Sequence, residues 1–132
     1  MLKSKEIPEI VSKVHFMHEM SYVVRLVNLA LKKSEEEKIS KIQKVVCEIG
    51  EMTGILPEYM IKYYKTAIKD TPLEDSALEC ILIPVSAHCE DCGADYTPDK
   101  AHDYLCPECG SGFAKIIHGR EFILKEIIGE NE

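Results

Sequence analysis

Two C-x-x-C-G repeats, Cys89-Glu90-Asp91-Cys92-Gly93 and Cys106-Pro107-Glu108-Cys109-Gly110, constrain this chain more than any other feature. Thirteen residues lie between Cys92 and Cys106. A two-residue gap lets both sulfurs of a pair face one ion, and the glycine admits the sharp turn that follows. Four thiolates suit a tetrahedral structural Zn(II) and leave no open position for catalysis. The segment has too few apolar residues for a core of its own, so the metal must supply much of its folding energy. Competing readings are two disulfides, a redox C-x-x-C, an iron–sulfur centre or rubredoxin-like iron. His88 and His102 are either substitute ligands or solvent-facing side chains.

With 132 residues, the chain is long enough for one core and a small appendage. No apolar run approaches the ~18 residues that would span a bilayer, and the N-terminal MLKSKEIPEIV lacks the continuous apolar stretch of a secretory signal. The expected compartment is therefore the cytoplasm, with no membrane partner, and there thiols stay reduced and paired C-x-x-C segments read as metal ligands. A net charge of −7 argues against a nucleic-acid partner, because phosphate binding rests on Lys and Arg.

Apolar residues at Met20, Val24, Val27 and Leu31, widened by Val23 and Ala30, predict an amphipathic helix from about Met17 that ends in Ser34–Lys38. Val45, Cys47 and Ile49 alternate with polar residues, as in a strand with one buried face, closed by Gly50. Pro57 and Glu58 open a second helix with Met60, Tyr63, Tyr64 and Ala67 inside. Leu78, Cys80 and Leu82 give a second strand; Phe122, Leu124 and Glu126 mark one face of a last one, with Ile127 on the other. Cys47 and Cys80 read as buried structural thiols. The result is an α+β fold, two helices on a three-stranded mixed sheet, with a four-cysteine zinc-ribbon module inserted between the second and last strands. The expected division is an extension over 1–16, an α/β domain from 17–86 and 114–132, and a zinc-binding domain over 87–113.

Three further phrases occur in order with the knuckles: Met17-His18-Glu19-Met20-Ser21, then Val46-Cys47-Glu48-Ile49-Gly50-Glu51-Met52-Thr53-Gly54, and Gly119-Arg120-Glu121-Phe122. Together they resemble the HypA family of nickel-incorporation proteins, from Met17 to about Ile128. The resemblance implies a non-enzymatic metallochaperone that binds transferable Ni(II) at Met17, His18 and Glu19. It implies work with a HypB-type GTPase and delivery to the large subunit of [NiFe]-hydrogenase, with urease a second recipient among relatives. A homodimer by exchange of strands or helices is compatible with it. A reading from another class is a zinc-ribbon adaptor that contacts proteins and carries no transferable metal.

The motif has its own chemistry. A histidine directly after an N-terminal residue offers imidazole, backbone nitrogen and terminal amine to one ion, a planar set that favours Ni(II) or Cu(II). In the family, Met-His-Glu starts the chain; here sixteen residues precede it and turn that amine into an amide. Translation from Met17, removal of the extension, or a site built from His15 and His18 would each resolve the conflict, the first being preferred. If retained, the extension's Ile7, Ile10, Val11 and Val14 would prolong the helix or cover an apolar surface. Leu56 stands where some family members place an acidic ligand.

Overall fold

A computed structural model describes the backbone of residues 2–13 and 19–131, and the side chains of residues 4–9 and 20–130. Strand β2 (Ile39–Gly50) is its spine. Val45, Cys47 and Ile49 all reach 0% exposure, as the alternation predicts. The chain then makes a 3-10 turn at Glu51–Thr53, runs through helix α2 (Pro57–Ala67) and returns as β3 (Ala77–Ile83), parallel to β2. A parallel return needs such a crossover, and Pro57 at the first helical turn starts it where a missing N–H costs nothing.

Helix α1 (Glu19–Glu36) lies beside α2 and packs on β2. Its buried face is Tyr22, Val23, Leu26, Val27 and Ala30, while Met20 and Val24 are exposed. The expected stripe is thus turned by about one residue. The apolar side is wide, with Ser21, Arg25, Asn28 and Lys32 as a narrow polar face, so spacing alone picks between two overlapping stripes, and packing decides. Tyr22 meets Phe122 of the last strand with ring centroids 5.6 Å apart.

That last strand, β7 (Glu121–Asn131), runs antiparallel to β2. Phe122, Leu124 and Ile127 are all fully buried, so Ile127 shares the core face instead of opposing it. The register supplies the reason: Val46 pairs with Glu126 but Cys47 pairs with Leu124, leaving Lys125 as an extra residue. Such a bulge flips the alternation beyond it.

The mixed sheet carries four strands in the order β1-β7-β2-β3, one more than expected. The addition is β1 (Leu2–Lys13), antiparallel to β7, so residues 2–13 do not prolong the helix. The ladder passes from the Glu6–Glu126 pair to the Glu9–Leu124 pair, skipping Ile7 and Pro8. Proline has no N–H for a ladder and is tolerated on an edge strand at a bulge, which is where it sits. Ile7 enters the core at 8% exposure, and Lys33 of α1 reaches Glu9 at 2.9 Å.

Between β3 and β7 the chain builds a second, three-stranded antiparallel sheet in the order β5-β4-β6, from β4 (Ser86–Cys89), β5 (Asp95–Tyr96) and β6 (Ala114–His118). The two crossings meet at Val85 and Gly119, and the Gly119 carbonyl accepts the Met52 N–H at 2.7 Å. A cleft of about 450 Å³ opens there between Met52 and the inserted segment's Tyr96, Tyr104 and Ile116. Among the described residues, no helix is long and apolar enough to cross a membrane.

Candidate metal centre

The knuckles are built the same way twice. Gly93 donates to the Cys89 carbonyl at 3.0 Å, and Gly110 donates to the Cys106 carbonyl at 2.8 Å. Cys89 donates in turn to the Ala94 carbonyl at 2.8 Å, and Cys106 to that of Ser111 at 3.0 Å. Both glycines hold left-handed backbone, φ 79° and 77°, which a side chain would strain. The Ser111 hydroxyl donates to the Asp91 carboxylate, linking one knuckle to the other.

These loops bring all four sulfurs within 4.8 Å of one another. Cys89 to Cys109 and Cys92 to Cys106 are each 3.6 Å. A tetrahedral ion with Zn–S bonds of about 2.3 Å needs sulfurs about 3.8 Å apart, so the cluster fits zinc closely. Four mutually close sulfurs suit one shared ion better than two separate disulfides. Cys89 and Cys106 are buried, while Cys92 and Cys109 face outward.

The thiols differ in acidity. The Cys92 N–H pulls Cys89 down to about 6. At Cys109 the Ser111 N–H pulls down, but desolvation and the three neighbouring thiols outweigh it and push the group up to about 12. Such crowding disfavours four thiolates by themselves, and a divalent cation reverses the balance.

The two nearby histidines are held by carboxylates. His88 Nδ1 lies 2.6 Å from Asp95, which raises its pKa, and His102 Nδ1 lies 2.8 Å from Asp99. Asp99 also accepts the His102 N–H as the cap of a short 3-10 turn. These aspartates, with Asp91, are the supporting residues that spacing alone does not reveal; their only sequence signal is an acidic residue every fourth position from Asp91 to Asp99. Met17 and His18, like His15, lie outside the described residues, as does the side chain of Glu19 at the start of α1. Leu56 is 45% exposed and precedes α2 as an apolar residue without a ligand atom.

With the cluster and the mixed sheet defined, the comparisons with known proteins decide the family. Residues 17–128 match the family described as "Hydrogenase/urease nickel incorporation, metallochaperone, hypA". The chain belongs to the HypA family. The hydrogenase maturation factor HypA of Moorella thermoacetica is 38% identical over 115 residues, covering 86% of this chain and 100% of the relative. That of Methanococcus aeolicus is 33% identical, covering 88% of this chain and 99% of the relative. Among solved structures, the nickel metallochaperone HypA from Helicobacter pylori aligns with a TM-score of 0.67 at 25% identity, over 88% of this chain and 100% of the other. The match begins at Met17, so β1 precedes the region that defines the family.

Proposed function

We propose that this chain is a cytoplasmic, non-enzymatic nickel carrier that delivers Ni(II) to the large subunit of a [NiFe]-hydrogenase, or to urease, together with a HypB-type GTPase. The observation that carries this reading is the family match over residues 17–128, which includes the Met17-His18-Glu19 motif. In it, residues 17–86 and 114–132 handle nickel, residues 87–113 hold a structural Zn(II) through Cys89, Cys92, Cys106 and Cys109, and residues 1–16 form an extension.

Nickel would be cargo, not a resident cofactor. His18 supplies the imidazole and its own backbone nitrogen, Met17 supplies a third nitrogen, and Glu19 either adds an oxygen or orients the imidazole. Imidazole and amine must be deprotonated to bind, so loading weakens as pH falls. With residues 1–16 attached, the Met17 nitrogen is a peptide amide, a poorer ligand than a free amine.

Equilibrium dialysis of zinc-loaded protein against Ni(II) tests the reading on three chains: one beginning at Met1, one beginning at Met17, and the latter with His18→Ala. Nickel is expected on the chain beginning at Met17 and lost with His18→Ala, while zinc content stays unchanged. Binding indifferent to His18→Ala would refute the site. No nickel on either unmutated chain would leave a zinc-ribbon adaptor that contacts proteins without carrying metal.

A further inference from the structure

Two thiols outside the ribbon face each other on neighbouring strands of the main sheet. Cys47 and Cys80 are direct partners in the parallel register of β2 and β3. Their Sγ atoms stand 3.6 Å apart, although 33 positions separate the residues. Cys47 is fully buried, whereas Cys80 is half-buried on β3, the outer strand. Neighbouring strands run about 4.8 Å apart, within the Cα separations of roughly 4.4–6.8 Å that disulfides span. Closing the sulfurs to bonding distance therefore takes side-chain rotation more than strand movement.

We propose that Cys47 and Cys80 form a reversible disulfide, a redox-modification site separate from the zinc ribbon. The nearest pairs on the same face, Val45 with Leu78 and Ile49 with Leu82, are apolar and carry no competing nucleophile. Cys80 is the attacking group because it is the more accessible. The hydrogen bond from Cys47 also lowers its pKa, whereas Cys47 is pushed well up by the same contact and by burial.

The oxidant is a small peroxide. The Cys80 thiolate attacks one peroxide oxygen, the O–O bond breaks, and the departing hydroxide takes a proton to become water. Cys80 is then a sulfenic acid. The Cys47 sulfur, losing its proton, attacks the Cys80 sulfur, the S–O bond breaks, and a second water leaves. Two thiols have given up two protons and two electrons to hydrogen peroxide, and a dithiol reductant reverses the change. The bond would clamp β3 to β2 at the strand from which the second sheet is suspended through Pro84 and Val85.

Zinc-loaded full-length chain treated with equimolar hydrogen peroxide, then digested without reductant and examined by mass spectrometry, tests this. The expected result is a peptide pair joined through Cys47 and Cys80, an intact mass lower by two hydrogens, retained zinc and a thermal midpoint several degrees higher. Cys80→Ala, at a half-buried position, should keep the native circular dichroism spectrum and form no such link. Zinc release with no Cys47–Cys80 link in the folded protein overturns the proposal. So does a link that appears only after unfolding in urea.

Discussion

Gly50 and Gly119 touch backbone to backbone: a Cβ placed on Gly50 would stand 2.3 Å from the Gly119 carbonyl oxygen and 2.8 Å from the Arg120 nitrogen. The contact joins the end of β2 to the start of β7, beside the two crossings into the second sheet. No flexible side chain is available to move aside there. Gly50→Ala must therefore separate two backbones that also share the Met52 to Gly119 hydrogen bond. The expected cost is about 3 kcal/mol, the upper end for overpacking. Gly54 offers the contrast, since its φ of 72° is left-handed but nothing lies within 4 Å. Gly54→Ala should cost only about 1 kcal/mol, the lower end for a side chain in left-handed backbone. Urea midpoints by circular dichroism compare the two, and equal costs would mean the junction yields easily.

Chelation separates the two sheets. Helices α1 and α2 and the cluster of buried side chains around Phe122 lie outside the ribbon, whose own strands bury few apolar groups. A strong chelator, or Cys106→Ser, should collapse amide dispersion for residues 86–118 while leaving most of the helical signal at 222 nm. Global loss of that signal would show that the main sheet depends on the metal too.

What the sequence reveals depends on whether a signal is local. The knuckles are legible because each closes within six residues through its own hydrogen bonds, so spacing contains the geometry. Strand β2 is legible because it is central: Val45, Cys47 and Ile49 are buried as the alternation predicts, with Val46 of the other face buried as well. Strand β7 is misread beyond Lys125 because a bulge is a property of a strand pair. On β3, Leu82 is 52% exposed despite the pattern, because an edge strand runs past the cover of the helices. The extension is ambiguous for a similar reason: its fit is to β7, more than a hundred residues away in sequence.

That extension should contribute through burial more than through charge. A chain beginning at Met17 loses Ile7 from the core, worth about 1.5–3 kcal/mol, and leaves the outer edge of β7 unpaired. Lys33→Ala removes only the ion pairs with Glu9 and Glu36 at the surface, which solvent screens. Denaturation of both variants should rank the truncation as the more destabilising. The reverse order would make the ion pairs the anchor.

Tyr64 provides a test in alkali. Its ring is 1% exposed, and its hydroxyl shares a 2.6 Å hydrogen bond with Ser76. Burial pushes its pKa up to about 12, against about 10 for an unfolded tyrosine. The folded state thus favours the neutral phenol, and the unfolded state loses its proton first. The resulting stability is fully present below pH about 10 and disappears as pH rises to about 12. Two pH units correspond to about 2 to 3 kcal/mol. Tyr64→Phe should cost about 1 kcal/mol at neutral pH, from the lost hydrogen bond, yet fall less steeply between pH 9 and 12. Lysine and thiol ionisation affect both proteins, so the difference between their urea midpoints isolates the phenol. Parallel curves across that range would show that Tyr64 becomes exposed before it ionises.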